Sequence, residues 1–206
     1  MVKGLYTAYT GMINEQKRLD VLSNNLANAD TNGYKKEGTT SQTFADELAI
    51  KIKDTSSYGL AQKLGTISMG VHIGETYTDF DQGSLRDTGN TYDLAISGDG
   101  FFNIEFTNKA GETSTKYTRD GGFTVTADGY LVTKDGDYVL GQNGRIQLST
   151  TAANTVIDGD GRIYQDDRLV AQLKITEFED TNYLTHYGET MWDAVDGATA
   201  RDATDA

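Results

Sequence analysis

Leu5, Met12, Leu19 and Leu26 recur every seven residues, and Ala8, Leu22 and Ala29 follow three of them at a spacing of three. This narrow apolar stripe is that of a coiled-coil strand and predicts an α-helix from about Val2 to Ala27. Glu15 stands where the fourth such follower belongs and is a fault in the stripe, while Lys17, Arg18 and Asp20 lie off it. Most amphipathic helices lie on their own domain. Here no second stretch is strongly helical: Gln42 to Lys53, with Phe44, Leu48 and Ile52 spaced by four, is only a weaker candidate. A seam without an intrachain helix to meet implies an intermolecular partner or a missing segment.

The helix runs into Ser23-Asn24-Asn25-Leu26-Ala27-Asn28-Ala29-Asp30-Thr31-Asn32-Gly33-Tyr34-Lys35. Asparagine tolerates the left-handed conformation and competes for backbone hydrogen bonds, so the cluster ends the helix. Four asparagines within nine positions exceed what a cap needs. They point to side-chain amides bonding the backbone of another segment or subunit. Residues 34–73, rich in Ser, Thr and Gly, read as an extended, poorly packed connector.

From Gly74 the period shortens to two. Asp99-Gly100 precedes Phe101 to Phe106, a turn over Asn108 to Glu112 follows, and Lys116 to Thr118 returns. Phe123 to Thr126 and Tyr130 to Thr133 flank Asp128-Gly129, and Asp137 to Leu140 and Arg145 to Leu148 follow their own turn dipeptides. Asp158-Gly159-Asp160-Gly161 opens Arg162 to Tyr164, and Leu169 to Phe178 alternates as one long strand. The pattern predicts a mainly β chain with an N-terminal α-helix: an antiparallel, hairpin-rich β domain on a helical and extended stem. The expected organisation is 1–33 helix and Asn-rich segment, 34–73 connector, 74–192 β domain, and 193–206 acidic frayed tail.

Composition narrows the function classes. The 206 residues carry a net charge of −13, with 23 glycines, no proline and no cysteine. Residues 1–53 hold seven bases against six acids, so the rest carries −14. Such a balance disfavours nucleic acid and anionic lipid, whose phosphates call for clustered Lys and Arg. The mean hydropathy of −0.52 and the lack of a long apolar run give no candidate for direct membrane insertion. The first ten residues lack the apolar core of a cleaved secretory signal.

Catalytic chemistry finds no constellation. His72 and His186 are the only histidines and stand far apart, and thiolate chemistry is absent. Asp158 could open a calcium loop, but the sixth and twelfth positions hold Ile163 and Leu169, which excludes an EF-hand. Gly98-Asp99-Gly100 lacks the third glycine of a dinucleotide fingerprint, and Ser97 has Ala95 where a nucleophile elbow needs glycine. No catalytic, cofactor-binding or metal residue is assigned and no cofactor is expected. With 31 acids, paired carboxylates leave a secreted carbohydrate-active β protein acting on cell-wall glycan as the alternative from another class.

Ordered motifs carry a specific resemblance. Ser23-Asn24-Asn25-Leu26-Ala27-Asn28 with Thr31, Gly33 and Tyr34-Lys35 resembles the N-terminal signature of the bacterial flagellar rod and hook protein family. Gln82-Gly83-Ser84-Leu85, Asn90, Asp93 to Phe102, Tyr117 to Phe123 and Asp128 to Val132 are similar to its central pattern, in order. The likeness is nearest to the proximal and distal basal-body rod proteins, with hook and hook-associated proteins as a further alternative.

The resemblance implies a helically polymerising, non-enzymatic subunit of a tubular drive shaft. That shaft transmits torque from motor to hook and lets export substrates pass. It implies partners among copies of the chain, other rod and hook proteins and the flagellar type III export apparatus, and a place in the basal body reached without a cleaved signal. In the family the N-terminal helix pairs with a C-terminal helix in an inner tube, and no such helix is expected between Met191-Trp192 and Ala206. The assembly interface so implied comprises Leu5, Tyr9, Met12, Leu19, Leu22, Asn24, Asn25, Leu26 and Asn28.

Overall fold

A computed structural model describes residues 2–45, 47–51, 62–68, 70–152 and 154–203. The chain forms two compact units, each discontinuous in sequence: Met1–Ala29 with Lys36–Asp79, and Asp30–Lys35 with Phe80–Ala206. The expected boundaries at 33/34 and 73/74 differ from these, because contacts rather than periodicity define the units.

In the first unit, helix α1 spans Val2–Ala27 as the heptads predict. Strand β1 (Glu37–Thr43) and strand β4 (Val71–Thr78) pair antiparallel as a two-stranded ribbon, with Glu37 opposite Thr78 and Thr43 opposite Val71. Helix α1 packs on both strands. Between them β2 (Glu47–Lys51) pairs β3 (Gln62–Ile67) as a second ribbon. The weaker helix candidate is therefore a strand over Leu48, because a ladder of backbone bonds to β3 outweighs a spacing of four shared by only three residues. Ile52 lies outside the described residues.

In the second unit, β5 (Gly100–Thr107) is central. It pairs β6 (Thr113–Thr118) along one edge, through the hairpin expected at Asn108 to Glu112. Short strands β7 (Thr124–Val125), β8 (Leu131–Val132), β9 (Tyr138–Gly141) and β10 (Gly144–Arg145) continue the meander, with β9 on the other edge of β5. Strands β11 (Thr155–Ile157), β12 (Arg162–Gln165) and β13 (Arg168–Gln172) form a separate three-stranded sheet. Strand β14 (Ile175–Phe178) returns to β5, and β15 (Leu184–Tyr187), β16 (Met191–Ala194) and β17 (Ala200–Asp202) complete a ten-stranded antiparallel sheet.

Two expectations change here. The alternation from Leu169 to Phe178 is two strands in two sheets, since Leu173 donates to Gly161 O and Lys174 to Leu140 O where the chain crosses over. The acidic end is not frayed over Ala200–Asp202, which pairs Thr176 to Phe178, and Arg201 bonds Glu179. Alternation cannot reveal such a switch, because both strands keep period two.

Two apolar clusters occupy opposite faces of β5. Phe102 joins Phe123, Leu131, Val139, Ile146, Leu148, Ile163 and Leu173, while its neighbour Phe101 joins Phe178 and Trp192. Successive side chains of a strand point oppositely, so one Phe-Phe pair seeds both clusters. Phe101 meets Phe178 and Trp192 edge-on, with centroids 5.9 and 5.6 Å apart.

Candidate assembly surface

Helix α1 is amphipathic in an inverted sense. Its buried positions are Thr10 and Asn14, with Val21, Asn25 and Asn28 half-buried. These follow spacings of three, four and seven and make one mostly polar stripe on the ribbon side. The seam lies on the opposite side of the helix: Leu5 is 74% exposed, Met12 64%, Leu19 60%, Leu22 59% and Leu26 77%. Tyr9, 56% exposed, flanks it. Leaving that many large apolar side chains in water forgoes roughly 1.5–3 kcal/mol for each one that a partner would cover.

Hydrogen bonds explain why the polar side faces inward. Asn14 Nδ2 donates to Ser41 Oγ at 3.1 Å. The Asn25 amide pairs the backbone of Glu37 in both directions, Nδ2 donating to Glu37 O at 2.8 Å and Oδ1 accepting from Glu37 N at 3.0 Å. A side-chain amide here stands in for a missing strand at the start of β1. Gly70, at φ +120°, lies where a Cβ would come within 2.1 Å of Thr10 Oγ1, so β4 and the helix approach closely only because no side chain intervenes. Tyr9, Ile13 and Lys17 with Phe44, Val71, His72 and Ile73 line a groove of about 170 Å³ in this unit. Two of its lining residues, Phe44 and His72, stack with ring centroids 4.6 Å apart.

The nine interface candidates all fall on α1 or its C-terminal turn, but on different sides. Leu5, Tyr9, Met12, Leu19, Leu22 and Leu26 share the exposed region, and Asn24 is exposed as well. Asn25 is spent on Glu37, and Asn28 Nδ2 donates to Asn24 O and Oδ1, both at 3.1 Å, closing the helix end. Sequence reasoning missed Thr10 and Asn14, whose signal was the polar repeat running opposite the seam.

Residues from both the N-terminal signature and the central pattern build the second unit. Gly33, at φ +72°, packs so closely that a Cβ would lie 2.3 Å from Asp120 N. Lys35, 8% exposed, donates to Phe80 O at 3.2 Å and Asp81 O at 2.8 Å. Asp93 accepts from Thr88 at 2.7 Å and from Asn90 at 3.0 Å, bonds that hold its carboxyl below the usual carboxylate range. Burial lowers the Arg119 guanidinium, which lies 4.8 Å over the Phe101 ring. Lys116, 6% exposed, bonds Asp193 at 2.6 Å and sits over Tyr187. These are turn-forming and core contacts.

Among the described residues no group of three or more His, Asp or Glu is placed to hold a metal ion, and no helix is long and apolar enough to cross a membrane. Helix α1 thus binds its own ribbon through polar groups and shows its apolar seam to water. Residues 5–35 match the model of the flagella basal body rod protein family, and residues 95–165 match that of the flagellar hook protein FlgE/F/G D1 domain. The chain is 35% identical over 202 residues to the flagellar basal-body rod protein FlgG of Bacillus subtilis, covering 93% of this chain and 73% of the relative. It is 32% identical over 199 residues to FlgG of Agrobacterium fabrum, with the same coverage. Against the rod protein FlgF of Caulobacter vibrioides it is 28% identical over 207 residues, covering 100% of this chain and 78% of the relative. The chain belongs to the flagellar basal-body rod protein family.

Proposed function

We propose that this protein is a structural subunit of the flagellar basal-body rod, polymerising helically into the tubular shaft that turns with the motor and drives the hook. The observation that carries the reading is the exposed seam of Leu5, Met12, Leu19, Leu22 and Leu26 opposite a helix side already committed to its own ribbon. A side so exposed in the single chain is covered by helices of neighbouring subunits. Repetition of a head-to-tail contact with rotation and rise builds an open helical tube rather than a closed ring. Its partners are copies of itself and other rod and hook proteins, and it reaches them through the flagellar export apparatus. Its role is mechanical, not catalytic: the β unit stiffens the shaft by lateral contacts and the tube leaves a path for exported subunits.

The test is electron cryo-tomography of basal bodies in cells carrying an in-frame deletion of the gene, beside complemented cells. A missing or shortened rod is the expected result, and its length identifies the segment. A complete rod and hook with normal swimming would overturn the reading.

A further inference from the structure

One stretch of the second unit is tied at both ends and bonds nothing through its middle. Residues 81–90 are all exposed and form no helix or strand. At one end Lys35 Nζ donates to Asp81 O at 2.8 Å. At the other, Asp87 Oδ1 accepts from Gly89 N at 2.9 Å and Thr88 Oγ1 donates to Asp93 at 2.7 Å. Between these ties Ser84, Leu85 and Arg86 make no hydrogen bond to any described residue. Leu85 is 58% exposed, and Arg86 has no carboxylate partner among the described residues, in a chain with 31 acids against 18 bases. A surface of matching character lies on β15 and β16. Val195 N donates to Tyr183 O at 3.0 Å, which sets the two residues across the ladder from each other. Their neighbours Leu184 and Ala194 pack on the Phe101 cluster, so alternation turns Tyr183 and Val195 to water, 45% and 50% exposed. Asp196 follows Val195, is exposed, and forms neither a hydrogen bond nor an ion pair with a described residue.

We propose that the Tyr183, Val195 and Asp196 surface receives Leu85 and Arg86 of a second copy of this chain, Leu85 lying on Val195 and Tyr183 and Arg86 meeting Asp196. The inference rests on the chain being a repeating subunit of the rod. The occupant follows from complementarity in both apolar and charged character. One surface offers an exposed aliphatic residue followed by an unmatched base, and the other an exposed aliphatic residue followed by an unmatched acid. The two surfaces are different parts of the β unit, so the contact is head-to-tail and repeats from copy to copy, as a helical assembly requires. Covering Leu85 and Val195 removes apolar area from water, and the charge pair beside them selects partner and register more than it adds affinity.

Charge reversals in the full chain, expressed from its own locus, test this: Arg86→Glu alone, Asp196→Lys alone, and both in one chain. Each single reversal sets like charges against each other across the contact, and loss of swimming and of incorporation into basal bodies is expected. In the double variant the charges are exchanged and again unlike, so both should return. Arg86 and Asp196 make no ion pair within the chain, and that return therefore reports a contact between copies. Circular dichroism of the purified variants checks that they fold. Normal swimming of either folded single variant overturns the proposal, and so does a folded double variant as defective as the singles. Where a reversal does not fold, paired cysteines replace it, since the chain has none of its own. Leu85→Cys with Val195→Cys is expected to join copies by disulfides in isolated basal bodies, and assembled rods without such links overturn the proposal. Failure of the rod assignment itself reads differently, as a complete rod in the deletion strain.

Discussion

The two units of this chain solve opposite problems with similar residues. In the second unit Phe101, Phe102, Leu131 and Trp192 are buried to within 2% exposure, and none of its described acids is buried, as in any folded domain. In the first, threonine and asparagine face inward while leucines stand 59–77% exposed. Hydrogen bonds to Ser41 and Glu37 position helix α1, and its large apolar side chains face water. The lesson is that an apolar repeat identifies a surface to be buried without saying by whom. In this chain the polar repeat on the other side of the helix marks the side that its own ribbon takes.

The sharpest way to break the contrast is one substitution made in both units. Leu131→Asp, at a position with no exposure, puts an unpaired charge in the core and is expected to unfold the second unit. Leu19→Asp, on the seam, is expected to leave the melting of the purified chain within about 0.5 kcal/mol of the parent and to abolish rod assembly and swimming. Equal loss of thermal stability in the two variants, measured by calorimetry, would show that the seam is an intrachain core. The milder Leu131→Ala should cost about 2–5 kcal/mol for the lost burial and the cavity.

Next in size is the amide clamp. Asn25→Ala removes both bonds to Glu37 and leaves its backbone groups without that partner, a loss of about 1–3 kcal/mol confined to the first unit. Hydrogen exchange should rise over Glu37–Thr43 and stay unchanged over Gly100–Thr107. Uniform acceleration across both units would mean that they unfold as one.

Which features could be read in the sequence follows from the same contrast. The limits of α1 and the hairpins around β5 to β10 were legible because a heptad and Asx-Gly turns are local signals. The seam residues were legible as a group, and the family motifs were specific. What stayed hidden was non-local. Nothing in Leu169 to Phe178 marks the change of sheet at Leu173, which depends on Gly161 and Leu140. Nothing in Ala200–Asp202 announces its pairing with Thr176 to Phe178. The asparagine cluster points to amides bonding the backbone of another segment, as Asn25 does at Glu37, but it does not tell that residue from Asn28, which closes the helix end.

A smaller effect sits in the turn between β12 and β13. Asp166 and Asp167 both adopt positive φ, 48° and 61°, in a two-residue hairpin that usually takes Asn-Gly. Asp166 Oδ1 also accepts from Asn154 N, so Asp167 is the position where a change spares that bond. Asp167→Gly should raise the stability of the second unit by about 1 kcal/mol, since glycine occupies this region without the Cβ clash. Thermal unfolding measures it, and swimming should not change.

The weakest effect belongs to the charge pair across β5 and β10. Arg145 Nη2 donates to Glu105 Oε1 at 2.6 Å and Nε to Oε2 at 3.1 Å. The hydrogen bond from Arg145, ahead of its charge, holds the Glu105 carboxyl below the ordinary 4.5, against a partial opposing effect of burial. A carboxyl depressed in the folded state binds protons more readily once unfolded, so its contribution is full above the ordinary glutamate range and declines as pH falls through the folded value. The melting difference between the parent and Glu105→Gln should therefore be present at neutral pH and shrink on acidification below about pH 4.5. A difference that stays constant down to pH 3 would make the pair a packing contact in which the carboxylate charge has no part.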